Sequence, residues 1–85
     1  MSVYQFWSPT CEPCKVLKPV FEDLKEDFPG LNWISVNTHD DPNGYAQTYQ
    51  VKVVPTLVTV KGDVIERHSG TTVAGYYRIL KNATR

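Results

Sequence analysis

Apolar and polar residues change rhythm several times along the chain, and each change marks an element. Val3 to Trp7 is bulky and apolar except at Gln5, the pattern of a short strand buried on both faces. Ser8-Pro9-Thr10 turns the chain, and the period then lengthens. Leu17, Val20, Phe21, Leu24 and Phe28 recur at spacings of three and four, which predicts the buried face of a helix over Val16–Phe28. Thr10 is the expected N-cap of that helix. Pro13 falls in its first turn, where the amides have no intrahelical partner and a missing N–H removes nothing. Pro19 lies inside the helix and is expected to kink it, and Pro29-Gly30 ends it.

Leu31 to Asn37, with Trp33, Ile34 and Val36, reads as a second strand. Asp41-Pro42 supplies an N-cap and a first residue for a short helix through Tyr45, Ala46 and Tyr49. Val53-Val54-Pro55-Thr56 leads into Leu57–Lys61, a turn at Gly62-Asp63 and Val64–His68, which together predict a hairpin. Gly70 breaks the pattern. Thr72 is the expected cap of a last helix, in which Val73, Tyr76, Tyr77 and Leu80 stand at helical spacing. The order β-α-β-α-β-β-α predicts an α/β fold. Its first two strands are parallel through a helical crossover, the hairpin adds antiparallel strands, and helices cover both faces of a mixed four-stranded sheet. The 85 residues are expected to form a single domain, 1–85, burying about 60–65% of the surface its unfolded chain exposes.

Charge narrows the function classes. Nine Lys and Arg residues balance nine Asp and Glu, and the cations are scattered among acids, so no basic stripe for nucleic acid forms. No apolar run approaches the ~20 residues of a membrane span. Met1 leads directly into Ser2-Val3-Tyr4-Gln5-Phe6, without the basic region and long apolar stretch of a secretory signal, so a cytoplasmic protein is expected; a monomer is the expected form. In that compartment two close cysteines are catalytic or metal-binding more often than structural.

The only cysteines are Cys11 and Cys14, in Cys11-Glu12-Pro13-Cys14, between the first strand and the first helix. A thiol pair there can cycle between dithiol and disulfide. Amides and dipole at the helix start favour the thiolate, which makes Cys11 the expected nucleophile and Cys14 the resolving thiol. Glu12 opposes the anion beside it, and Lys15 partly counters Glu12. Two other readings stand beside this one. A structural disulfide closing so small a loop contributes only ~2 kcal/mol by the chain-entropy model. A closed zinc site needs four ligands, commonly in two spaced pairs, and His39 and His68 form no such pair, so both are read as ordinary surface or loop histidines and no metal is expected.

Three segments resemble the thioredoxin-like superfamily in a compact form. Phe6-Trp7-Ser8-Pro9-Thr10-Cys11-Glu12-Pro13-Cys14-Lys15 is similar to the family's strand end and active-site loop. Val53-Val54-Pro55-Thr56-Leu57 is similar to its cis-proline segment. Gly70, two residues before the last helix, resembles the glycine bordering its substrate groove, and Pro19 matches its helix-kinking proline. The resemblance runs from Val3 to about Leu80. It implies a cis bond before Pro55, a Val54 backbone that pairs with an extended substrate segment, and a groove lined by Trp7, Thr10, Val54, Pro55 and Gly70. It also implies a form without the family's N-terminal strand and helix.

The sequence departs from the family at the proton chemistry. Gln5 stands where the family usually has a buried Asp, and the strand around Val36 lacks the Lys that partners it. Thr10 replaces a Trp and Glu12 a Gly. Losing Asp and Lys together avoids a buried charge without its partner, but it leaves the proton acceptor for Cys14 open. The expected function is a small disulfide oxidoreductase acting on disulfide-containing proteins through a redox-active Cys11–Cys14 disulfide, with no bound cofactor. A thioredoxin reductase or a glutathione system would regenerate it. A glutaredoxin-like, glutathione-dependent enzyme and a non-catalytic binding module are the alternatives.

Overall fold

The computed structural model describes residues 1–84; the last residue of the expected domain, Arg85, lies outside them. The first change of rhythm becomes β1 (Ser2–Trp7) followed by α1 (Glu12–Asp27). β2 (Asn32–Asn37), α2 (Tyr45–Thr48), β3 (Thr56–Lys61), β4 (Val64–Ser69) and α3 (Val73–Ala83) follow, in the order expected from the pattern. One four-stranded sheet runs β2-β1-β3-β4. β1 pairs in parallel with β2, with Gln5 beside Ser35 and Phe6 beside Val36. β1 also pairs antiparallel with β3, and β3 antiparallel with β4, with Leu57 opposite His68. This is the thioredoxin fold, a mixed sheet flanked by helices.

Strand alternation sorts the apolar residues into two cores. Val3 and Leu57 join Leu17, Phe21 and Leu24 of α1 and Tyr76, Ile79 and Leu80 of α3. Phe6, Val36 and Val58 face the other way, where Tyr4, Tyr45, Tyr49 and Val54 cover them. Tyr4 packs at 5.0 Å from the Tyr45 ring and 4.9 Å from that of Tyr49. β1 is central and therefore covered on both faces, which accounts for its nearly unbroken apolar run.

Two of the three helix starts differ from expectation, each for a local reason. The N-cap of α1 is Cys11, not Thr10, and the Cys11 sulfur accepts the Cys14 amide at 3.1 Å. A cap at Thr10 would place Pro13 at the third helical position, where the capping bond needs an N–H that proline lacks. The Thr10 hydroxyl pairs instead with that of Ser8, 3.4 Å away. In the second helix, a turn from Asp41 to Gly44 comes first, and Gly44 takes a φ of +67°. The helix begins at Tyr45, and the Asp41 carboxylate accepts the amides of Tyr45 and Ala46 at 3.1 and 2.8 Å, capping from outside. Thr72 is the N-cap of α3, but its side chain makes no capping bond. Pro19 lies inside α1, which continues through it to Asp27.

Candidate active site

Cys11 and Cys14 are joined by a disulfide across the first turn of α1, with their Cα atoms 5.2 Å apart. Both are buried. The turn that presents them is held by the Cys11 amide donating to the Ser8 carbonyl at 3.2 Å. Because Pro13 has no N–H, the Cys14 N–H is the donor left for the cap position, and it points at the Cys11 sulfur. Glu12 and Lys15 form an exposed ion pair at 3.1 Å, so the carboxylate beside Cys11 faces a cation one turn on. Exposed pairs of this kind contribute roughly 0–1 kcal/mol, and here the pairing matters more for the local field than for stability.

The predicted site residues fall into two groups. Gln5, Trp7, Cys14 and Lys15 line one cavity between α1 and the sheet. Trp7 donates its indole N–H to the Ser35 hydroxyl at 2.8 Å, which fixes the ring beside the cysteine turn. Thr10, Val54, Pro55 and Gly70 line no part of that cavity. The Val54–Pro55 bond is cis, Pro55 is fully buried, and Val54 packs on the second core. Thr56 anchors this segment, its hydroxyl meeting the Val53 carbonyl at 2.6 Å and the Ser69 hydroxyl at 2.8 Å. Gly70 has a φ of +95°, which only glycine adopts readily, and its amide donates to the Pro55 carbonyl at 3.1 Å.

Tyr76 ties the second group together, and the sequence pattern marked it only as a core position. Its hydroxyl donates to the Gly70 carbonyl and, at 3.3 Å, to that of Pro55. Its ring meets Phe21 edge-on at 5.1 Å and His68 edge-on at 4.6 Å. Burial pushes its phenol up to about 12 from an ordinary 10. His68 is accordingly not a plain surface residue. It is half-buried, and its Nε2 lies 2.9 Å from the Thr72 carbonyl. Its ring fills the space where a side chain on residue 75 would begin, which explains a glycine inside α3. His39 is exposed. Among the described residues no group of three or more His, Cys, Asp or Glu could hold a metal ion.

Gly75→Ala is therefore expected to lower the unfolding midpoint. Overpacking against the His68 ring costs about 1–3 kcal/mol, against a helix-propensity gain of at most ~1 kcal/mol from alanine. Adding His68→Ala should recover the propensity gain at that position. A Gly75→Ala protein as stable as the parent in thermal unfolding would contradict the packing described.

The family model for Thioredoxin matches residues 1–81. An M-type chloroplastic thioredoxin of Zea mays is 41% identical over 59 residues, a stretch covering 68% of this chain and 35% of that protein. A thioredoxin of Synechocystis sp. is 34% identical over 58 residues, covering 67% of this chain and 53% of that one. The matched stretch thus spans between a third and about half the length of these two relatives. Among solved structures, spinach chloroplast thioredoxin f superposes with a TM-score of 0.87 at 20% identity, over 99% of this chain and 76% of that chain. Fasciola hepatica thioredoxin does so with 0.85 at 24% identity, over 95% and 78%. At these identities the superpositions show the shared fold.

Proposed function

The chain belongs to the thioredoxin family, and from that premise we propose that it reduces disulfides in other proteins by dithiol exchange through Cys11 and Cys14. One observation supports this most directly. Cys11 caps α1, so its sulfur is already the acceptor of a helix N-terminal amide. In the reduced protein the same amide and the positive end of the helix favour the thiolate, the form that attacks a disulfide.

The Cys11 thiolate attacks one sulfur of the substrate disulfide, and the other sulfur leaves as a thiolate. A mixed disulfide now links Cys11 to the substrate. Cys14 attacks the Cys11 sulfur, the bond to the substrate breaks, and Cys11–Cys14 closes. Two electrons pass to the substrate with no cofactor. The backbone around the cis bond at Pro55, held by Thr56, Gly70 and Tyr76, is the segment we assign to docking an extended substrate strand, with Trp7, Thr10 and Val54 contributing to the same surface. Regeneration then falls to a reductase or a low-molecular-weight thiol. A relative of known structure, thioredoxin f2, forms a complex with ferredoxin:thioredoxin reductase, and we propose a reductase as the partner here too. The working compartment is one that keeps thiols reduced, for which we propose the cytoplasm, and the acting form is a monomer.

The test is reduction of a protein disulfide, followed by turbidity as the freed chains precipitate, with the enzyme driven by dithiothreitol and then by a thioredoxin reductase. Catalysis with both supports the reading. Activity only when glutathione and glutathione reductase supply electrons would assign the glutathione-dependent alternative instead. No catalysis with any donor would leave the fold as a binding module.

A further inference from the structure

Strand alternation places Gln5 and Trp7 of β1 and Ser35 of β2 on the sheet face beneath α1, and the parallel register sets Gln5 directly beside Ser35. With Cys14 and Lys18 of α1 they line a cavity of about 260 Å3 that opens to solvent. Gln5 is only 8% exposed, yet its side-chain carbonyl oxygen has no hydrogen-bond partner among the described residues. Ser35 accepts the Trp7 indole N–H, which leaves its own hydroxyl proton uncommitted. An acceptor without a donor and a donor without an acceptor thus face one cavity beside a cysteine. A water molecule needs roughly 30 Å3 and two to four polar partners, and both are supplied.

We propose that Gln5 and Ser35 hold a water molecule against Cys14 and that this water takes the thiol proton as Cys14 attacks the mixed disulfide. The proposal rests on the exchange reaction above and supplies its missing proton acceptor. In the step, the Cys14 S–H bond breaks and the proton passes to the water and through the cavity mouth to solvent. The Cys14–Cys11 bond forms, the Cys11–substrate bond breaks, and the electron pair leaves on the substrate sulfur, which is protonated from solvent. Gln5 does not titrate. The titratable groups lining the cavity all belong to α1: Cys14 itself, Lys15, Lys18, Glu22 and Lys25. Lys15 and Lys25 are paired with Glu12 and Glu22, and β1 and β2 contribute no ionisable side chain to the lining. Of the groups in the lining, the step itself deprotonates only Cys14. Gln5 is a positioning residue, and it acts by keeping the nascent thiolate hydrated.

Reduced protein mixed with substoichiometric 5,5′-dithiobis(2-nitrobenzoate) in a stopped-flow instrument separates the two events. A first thionitrobenzoate is released when Cys11 attacks and a second when Cys14 resolves. For Gln5→Met, which keeps the volume and removes the carbonyl, the first release should be unchanged. The second should slow about three- to tenfold at pH 7, with its pH midpoint moved upward. A one-unit rise in thiol pKa loses tenfold in thiolate and regains about threefold in nucleophilicity. Gln5→Glu keeps an acceptor and adds a buried carboxyl, so its second release should show two midpoints instead of one. Unchanged second-phase rate and midpoint in Gln5→Met, or a Gln5→Glu profile with one midpoint, would overturn the proposal. Absence of the first release in the unsubstituted protein would overturn the exchange reaction itself.

Discussion

Replacing Cys11 with serine is expected to bring disulfide reduction down to the rate of buffer alone, whereas replacing Cys14 with serine should leave a protein that attacks but cannot let go. The asymmetry follows from the capped helix start. The Cys11 sulfur receives the Cys14 amide and lies at the positive end of α1, so it is the sulfur whose thiolate form is favoured. A serine hydroxyl in its place stays protonated at neutral pH and forms no mixed disulfide. Cys14, one turn into the helix, is the sulfur that closes the ring. With serine there, the first exchange proceeds and the intermediate accumulates. Mass spectrometry of Cys14→Ser mixed with a disulfide-containing protein should show an adduct heavier by one substrate chain and released by dithiothreitol. Cys11→Ser should show none. An adduct on Cys11→Ser instead, through Cys14, would reverse the assigned roles.

Much of this is legible in the sequence, and the reason is a change of period. Val3–Trp7 is an almost unbroken apolar run, as in a strand buried on both faces, and Leu17, Phe21 and Leu24 repeat as a helix, so the cysteines between them lie at a strand-to-helix junction. The structure departs from the pattern where one residue's chemistry displaces a general preference. Thr10 is the better capping residue by type, but Pro13 has no amide to give it, and the cap moved to Cys11. Asp41 does satisfy helix amides, though from beyond an intervening turn, because Gly44 bends the chain first. What a linear pattern cannot carry is pairing across the fold. Gln5 and Ser35 become neighbours only through the register of β1 and β2, so the unpartnered Gln5 carbonyl and the Ser35 hydroxyl proton are visible as residues but not as a site. Tyr76 counted as one apolar position among several in α3, and the two carbonyls that its hydroxyl meets lie 6 and 21 residues away.

Tyr76 should carry the largest effect on stability. Its side chain is completely buried between Phe21 and His68, and Tyr76→Ala removes the ring and its hydroxyl together. Large aromatic truncations in a core cost about 3–5 kcal/mol. A chain of this length has roughly 4–13 kcal/mol in all, so this one substitution consumes a large part of the whole. Tyr76→Phe keeps the ring and isolates the hydroxyl. The Pro55 carbonyl retains the Gly70 amide as donor, so the main loss is at the Gly70 carbonyl, at about 1–2 kcal/mol. Urea unfolding at pH 7 checks both values. The alkaline limb gives a second, independent reading. The phenol ionises near 10 when unfolded and near 12 when folded, so the folded state holds the extra proton between these values. Its contribution is intact below pH 10 and is lost as the pH rises toward 12. Tyr4, also shifted upward beside Tyr49, is present in both proteins and cancels in the difference. The gap between the parent and Tyr76→Phe should therefore narrow from pH 10 to 12, and a gap that stays constant would mean that the Tyr76 hydroxyl is not held in the buried position described.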